Sequence, residues 1–336
     1  MQMKAFLRSV LCTALLAAAP ASNTNGDTPE AVDLRLERAF AEWLKDANTT
    51  GMLGVGVAGP DGTWQAHRFH GRDDTGATVA ELASVSKSVT AVCLMHLVED
   101  GQADWSNSLH NFLEPAPDVT LAELVTHTSG IGPDVTQIAM LGWLGQNAGG
   151  QGHFSRQVLD LVNARPAQNG QRGQYAYNNE NYALLGLVIE TITGQPFFEA
   201  CQDRLDLPDS IQAGADSGVF QPLGGLVSDV DGYLRFMQTH FGPDSRIAAD
   251  PFALPHAAMG GGAYYGMGMV FRPFRDSFNF WHFGALCFPK RLNTGSFAVM
   301  WEGKVTALAM YDACIDERAM FDLDAGLSAA VYGDRP

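Results

Sequence analysis

The sequence predicts an α+β fold, an antiparallel sheet drawing strands from both chain ends with flanking helices and a helical region inserted between them. Three observations carry this. Two alternating stretches flank a Gly59-Pro60-Asp61-Gly62 turn near the start, placing sheet at about 50–72. Further strand-like stretches separated by turn residues crowd the end, at about 263–314. Between them, at about 84–245, apolar residues mostly recur at helical spacing. Strands gathered at the ends rather than alternating with helices argue against repeated βαβ units, and no internal repeat is visible.

The first residues have the composition of an export signal. Lys4 and Arg8 precede the apolar stretch Val10 to Ala19, and Ala19-Pro20-Ala21 offers small residues for cleavage. The expectation is a signal peptide over 1–21, a polar linker over 22–30 and a folded domain over 31–336, secreted or periplasmic, with no membrane span in the mature chain. Ala31 to Ala47 has helical spacing, with Leu34, Leu36, Ala39, Phe40 and Leu44 on one side. Met52 to Ala58 and Thr63 to His70 read as a hairpin. His67 and His70, three apart on a strand, face opposite sides, which disfavours a shared metal site.

The most informative stretch is Glu81-Leu-Ala-Ser84-Val-Ser-Lys87, which opens an apolar helical run to Val98. Ser84 stands where an N-cap or first-turn residue stands, and Lys87, three residues on, projects from the same face. A serine hydroxyl is a weak nucleophile until its proton is taken. An amine one turn away can take it if burial and the positive helix end lower its pKa. The chain has only five lysines, and one of them is here.

A helix over Leu121 to Val125 runs into Thr126-His127-Thr128-Ser129-Gly130. This reads as a hydrogen-bonded turn, because no Gly-x-Ser-x-Gly elbow exists to pair with the histidine. Gly132 to Asn169 has no readable pattern. Tyr177 and Asn179 stand two apart just before an amphipathic helix that ends at Gly194. Such a pair can carry a proton and hold a substrate amide, or simply pack and cap. A helix over Asp229 to Thr239 follows a Gly-Gly loop. Tyr264 to Phe271, Phe280 to Ala285, Thr294 to Trp301 and Lys304 to Ala313 read as strands, and Asp316 to Tyr332 as the closing helix.

Composition narrows the function classes. With 46% hydrophobic and 17% charged residues the chain is globular rather than disordered. A formal charge of −16 disfavours nucleic acid and anionic membranes as partners. Cleavage would leave Cys93, Cys201, Cys287 and Cys314, an even number that permits disulfides. Cys93 reads as a small core residue, while Cys287 and Cys314 flank a hairpin and can pair or stay free.

Taken together, Ser84-Val-Ser-Lys87, Thr126-His-Thr-Ser-Gly130 and Tyr177-Asn-Asn179 with Asn181-Tyr-Ala-Leu-Leu-Gly186 resemble the serine β-lactamase and penicillin-binding-protein superfamily. The resemblance is to the class C β-lactamase-related branch, which includes D-alanyl-D-alanine peptidases and esterases. Gly224-Gly225-Leu226 and Tyr265-Gly-Met-Gly268 are weaker matches, and the order holds from about 35 to 330. The resemblance implies an acyl-enzyme on Ser84, Lys87 as its partner, Tyr177 as proton shuttle and Asn179 as holder of the substrate amide. It implies no metal or organic cofactor, and a small-molecule or short-peptide substrate: an ester, an amide or a β-lactam. The third element of the family is matched best by His282-Phe283-Gly284, with Asn293-Thr294-Gly295 competing. Ser84 N–H and Ala285 N–H would then form the oxyanion hole. Phenylalanine at 283, where the family has a hydroxyl residue, implies weaker binding of anionic β-lactams. The alternatives are a class C β-lactamase proper and a non-catalytic binding or sensor protein with this fold. The natural acyl donor and the oligomeric state are not legible.

Overall fold

The computed structural model describes residues 28–65, 67–146, 153–165 and 171–333. The signal peptide over 1–21 and all but the end of the linker over 22–30 lie outside the described residues. In chain order the elements begin with α1 (Pro29–Asp46), β1 (Gly51–Val57), β2 (Arg68–Gly71), β3 (Ala80–Glu81), α2 (Lys87–Glu99), α3 (Leu121–Val125), α4 (Thr136–Trp143) and α5 (His153–Asn163). There follow α6 (Asn179–Thr193), α7 (Phe197–Leu205), β4 (Gln212–Ala213), β5 (Leu226–Ser228), α8 (Val230–Phe241) and α9 (Arg246–Ala249). The chain closes with β6 (His256–Gly260), β7 (Ala263–Gly266), β8 (Met269–Phe274), β9 (Ser277–Phe288), β10 (Leu292–Trp301), β11 (Val305–Tyr311) and α10 (Glu317–Tyr332).

The main sheet is antiparallel, in the order β2-β1-β11-β10-β9-β8-β7-β6. β1, from the start of the chain, lies against β11, its last strand, with Gly51 opposite Tyr311 and Val57 opposite Val305. The sheet therefore joins both chain ends, as the sequence predicts. Its central strands are apolar without alternation because both faces are covered: every residue of β11 is buried. On one face α1 and α10 pack over Leu53, Phe297, Val299 and Ala307. On the other, the sheet shares a larger core with the helical region, built on α2, α6 and α8.

Local chemistry explains the boundaries. Thr120 and Glu123 form a reciprocal capping box at α3. Asp229 and Asp316 cap α8 and α10 by accepting backbone N–H bonds. Gly194 ends α6 in the left-handed conformation, at φ 70°. His67 bonds Asp231 on α8 and His70 bonds Asp33 on α1, so the two rings serve opposite faces of the sheet.

Four expectations are corrected. The linker ends sooner than position 30, because Thr28 caps α1 and Pro29 starts it. The second strand of the first hairpin keeps only Arg68–Gly71, with a lone bridge from Ala58 to Trp64 ahead of it. Tyr264 to Phe271 is a hairpin rather than one strand: Met267 and Gly268, at φ 49° and 76°, turn the chain between β7 and β8. Met267 is buried, so the apolar pattern runs unbroken through the turn. Cys93 is a core residue but not a free thiol, since it is disulfide-bonded to Cys201 across the α2–α7 contact. Cys287 pairs with Cys314. The Cys93–Cys201 bridge closes a loop of 108 residues with both cysteines fully buried. Replacing both by alanine is expected to lower unfolding stability by about 2–5 kcal/mol. Thermal melts of oxidised wild type and variant check it, and equal midpoints would refute it. Among the described residues no helix is long and apolar enough to cross a membrane.

Candidate active site

The site is assembled where β3 ends. Leu82 N–H bonds Leu226 O on β5, and Leu82 O accepts a 2.6 Å bond from Ser296 Oγ on β10. Ala83 then takes a left-handed φ of 48°, at a cost of about 1 kcal/mol, and a 3₁₀ turn over Ala83–Ser86 leads into α2. The nucleophile candidate thus lies on a tight turn before the helix rather than in its first turn. Lys87 is the first α2 residue and is fully buried, whereas Ser84 is partly exposed.

The three residues named for proton chemistry meet. Lys87 Nζ lies 3.1 Å from Ser84 Oγ, and Tyr177 OH lies 2.9 Å from the same oxygen. Lys87 is also anchored at 2.5 Å by Leu223 O and lies 5.1 Å from the Tyr177 ring centroid. Burial pushes the Lys87 amine down to about 7, against the charge of Asp134, which raises it. Burial raises the Tyr177 phenol well above its ordinary value, although the bond to Ser84 works the other way. At neutral pH the site therefore holds an amine able to accept a proton and a phenol that keeps its own.

His127 lies in a hydrogen-bonded turn, as its neighbours suggest, with Thr126 Oγ1 and Thr128 Oγ1 2.9 Å apart. It also does more than the turn requires. Its Nδ1 accepts the Asn178 backbone N–H at 3.2 Å, and its ring packs 4.5 Å from that of Tyr177. Burial and the nearby Lys87 and His282 hold it neutral. It is a post under the Tyr177 segment. Asn179 caps nothing itself: Asn178 caps α6 by accepting the Glu180 N–H. The Asn179 Nδ2 donates at 3.0 Å to Asp134, a residue in the stretch that carries no sequence pattern.

β9 supplies the opposite wall. Its pairing with β8 stops at Trp281, so residues 282–288 have no strand beside them on that side. The two-residue turns at Met267-Gly268 and Arg275-Asp276 set the parity of the ladder. Ser277, Asn279 and Trp281 direct their backbone groups toward β8, and the same alternation turns the Ala285 N–H to the open edge. Ala285 is exposed there. His282 is buried against Tyr177 and Tyr265, with ring centroids 6.1 and 5.8 Å away. Burial, aided by Lys87, pushes it down to about 3. The competing Asn293-Thr294-Gly295 lies one strand deeper, where Thr294 Oγ1 bonds Tyr311 O.

Phe283 corrects one expectation. It stacks on Phe297 at 4.0 Å on the far face of the sheet, in the core beneath α1 and α10. A side chain there reaches no substrate, so phenylalanine at 283 removes no contact from the cleft. Two glycines allow the walls to close. A Cβ on Gly268 would fall 2.5 Å from Lys87 O. One on Gly284 would fall 2.5 Å from Leu82 O and 3.0 Å from Ala83 Cβ, at the nucleophile turn itself. Gly284→Ala is expected to lower stability by about 1–3 kcal/mol through this overpacking. A thermal melt checks this, and an unchanged midpoint would show that the contact is slack.

The family model described as Beta-lactamase matches residues 36–311. The chain belongs to the Beta-lactamase family. Within it, the chain is 30% identical over 150 residues to Penicillin-binding protein 4 of Amycolatopsis lactamdurans, covering 42% of this chain and 37% of that one. It is 28% identical over 139 residues to Penicillin-binding protein 4* of Bacillus subtilis, covering 38% and 28%. The matches thus span between about a quarter and a little more than a third of the length of the curated relatives. In fold, this Beta-lactamase family member is similar to the D-amino acid amidase from Ochrobactrum anthropi. The TM-score is 0.69 at 14% identity, over 91% of this chain and 99% of that chain. It is also similar to a Beta-lactamase/D-Alanine Carboxypeptidase from Pseudomonas syringae, with a TM-score of 0.65 at 17% identity over 91% and 100%. Identities this low establish the fold and leave the substrate to the site.

Proposed function

We propose that the protein is an exported serine hydrolase that cleaves an amide or ester of a small molecule or short peptide through an acyl-enzyme on Ser84. The observation that carries this is the convergence of the Lys87 amine and the Tyr177 phenol on one serine oxygen. In this reading Lys87, neutral at working pH, takes the Ser84 proton as Oγ attacks the carbonyl carbon. The Ser84 and Ala285 N–H groups receive the developing oxyanion, each such donor being worth about 3 kcal/mol. Tyr177 gives a proton to the leaving group and is reprotonated as Lys87 passes its own on. Water then attacks the acyl carbonyl by the reverse relay, and Ser84 is released. The structural relatives named as amidase and carboxypeptidase favour an amide bond, and no step calls for a metal or organic cofactor. The two disulfides agree with export to an oxidising compartment. A secreted protein whose N-terminus is not near Ser22 would contradict the proposed cleavage.

A non-catalytic binding module would find support in a departure from the family's pattern at Phe283, but Phe283 stacks on Phe297 on the far face of the sheet. The direct test is covalent labelling followed by peptide mass spectrometry. A fluorophosphonate is expected on Ser84. A fluorescent penicillin that labels the same residue and leaves slowly would mark a penicillin-recognising peptidase, and labelling by the phosphonate alone an esterase or amidase. Absence of label from Ser84 with both reagents would refute the hydrolase.

A further inference from the structure

We propose that the Cys287–Cys314 disulfide is a positioning bridge for the oxyanion hole. Closed, it holds the Ala285 N–H in place beside the nucleophile turn, so that turnover follows the redox state of this one exposed bond. The inference rests on the acyl-enzyme reading for the role of Ala285. Cys287 and Cys314 touch no reacting atom and act as positioning residues.

The support of β9 thins where the site begins. Its pairing with β8 stops at Trp281. β11 ends at Tyr311, which lies in register with Gly295, and Gly295 lies in register with Ala285. Ala285 therefore stands on the last row in which β10 is backed by β11. Beyond it, the pairs Leu286–Thr294, Cys287–Asn293 and Phe288–Leu292 form a projecting two-stranded ribbon. Such a ribbon is marginal by itself and twists more than a wider sheet. Its inner face is packed, since Leu286 and Phe288 are buried in the core shared with the helical region. Its outer face is open: Gly295 offers no side chain beside Ala285, and Ala285 and Cys287 are both exposed. The ribbon is tied down at its ends. Thr294 Oγ1 reaches back to Tyr311 O, and Arg291 donates at 2.7 Å to Leu144 O beyond α4. The covalent tie is on the outer face, where Cys287 joins Cys314 in the segment between β11 and α10. Cys314 Sγ lies 3.8 Å from Leu286 O and 3.5 Å from Asn293 Oδ1, over the ribbon itself.

Cys287 is two residues from Ala285, about 7 Å along the strand, and alternation turns the backbone N–H of both to the open edge. No strand on that edge resists a shift of the ribbon, so movement at Cys287 is carried to the Ala285 N–H. An oxyanion donor acts only within about 2.7–3.1 Å of the oxygen it receives, and a misplacement of about 1 Å is costly. The two disulfides also differ in access. Cys93 and Cys201 are fully buried, whereas Cys287 and Cys314 are exposed, so a dithiol in solution meets the second bridge first. Opening it is thiol–disulfide exchange. A reductant thiolate attacks one bridge sulfur, the S–S bond breaks and a mixed disulfide forms. The reductant's second thiol displaces it, leaving two protein thiols and the oxidised reductant. Closing the bridge passes the same two electrons and two protons to a disulfide oxidant.

The test compares an activated ester with its thionoester, whose sulfur in place of the carbonyl oxygen gains little from oxyanion donors. Three samples are assayed: oxidised wild type, wild type treated with dithiothreitol and then freed of it, and the variant Cys287→Ser with Cys314→Ser. With the bridge open, kcat/KM for the ester is expected to fall about tenfold, and for the thionoester much less, so that their ratio falls as well. A merely structural injury would lower both substrates alike and leave the ratio unmoved. Alkylation and peptide mass spectrometry identify the opened bridge, expected to be Cys287–Cys314 with Cys93–Cys201 intact, and reoxidation of the wild type should restore the rate. Should the variant fail to fold, the treated wild type still decides the matter. An unchanged ester rate with this bridge open, a fall shared equally by both substrates, or Cys93–Cys201 opening first would overturn the inference while leaving the hydrolase intact. Failure of oxidised wild type to turn over either substrate would overturn the acyl-enzyme reading, and the inference with it.

Discussion

Ser84→Ala is expected to reduce turnover of an activated ester on the order of 10⁴-fold or more, to the residual rate that binding and oxyanion contacts alone sustain. The change deletes one oxygen from a partly exposed position on a turn whose backbone is held by Leu82, Leu226 and Ser296. The turn should survive it. Lys87 keeps its bond to Leu223 O, and Tyr177 keeps its packing against His127. The variant should therefore melt within about 1 kcal/mol of wild type, since a small polar-to-apolar change at an open site is cheap. Stability retained with activity lost is the signature of a nucleophile rather than of a structural serine. Ester hydrolysis at more than about one percent of the wild-type rate would show the acyl group to be carried elsewhere.

The parts of this site that sequence made legible are those governed by short-range geometry. Three residues on a helical turn bring Lys87 to Ser84, whatever the rest of the chain does. The central strands and α6 announce themselves by apolar runs, caps and a terminal glycine. Tyr177, 93 positions from Ser84, was readable only through family resemblance, because no local rule links residues so far apart. The Cys93–Cys201 bridge was missed for the same reason, being set by how α7 packs on α2. Asp134 lies in a loop that shows neither period, and its two bonds to Asn179, 45 positions away, follow no local rule. Phe283 is a different case. Strand alternation already required that His282 and its neighbour face opposite sides. The residue beside the site was thus a core residue by parity, and reading it as a lost substrate contact ignored that rule.

Lys87→Met separates the chemical role of the amine from its cost to the fold. Methionine keeps much of the length and apolar bulk of lysine but accepts no proton, so ester turnover should fall on the order of 10³-fold or more. In the wild type, kcat/KM should drop about tenfold for each pH unit below about 7, where the amine becomes protonated, and level off above it. A flat profile from pH 5 to 8 would remove Lys87 from the role of base. Stability should move the opposite way. The unfolded chain holds the Lys87 proton up to about 10.4, whereas the folded state gives it up near 7. Folding near or below neutral pH therefore carries a penalty of roughly 4 kcal/mol, full below about pH 7 and gone above about 10.4. Methionine removes that penalty but leaves Leu223 O without its donor, a loss of about 1–3 kcal/mol. The variant is thus expected to be more stable than wild type by about 1–3 kcal/mol at pH 7, with the advantage shrinking as pH rises toward 10. Denaturant titrations at pH 7 and 9.5 measure both ends of that window. A variant less stable than wild type at pH 7, or a difference independent of pH, would mean that the buried amine is not held neutral in the folded protein, and the proton-accepting role would fall with it.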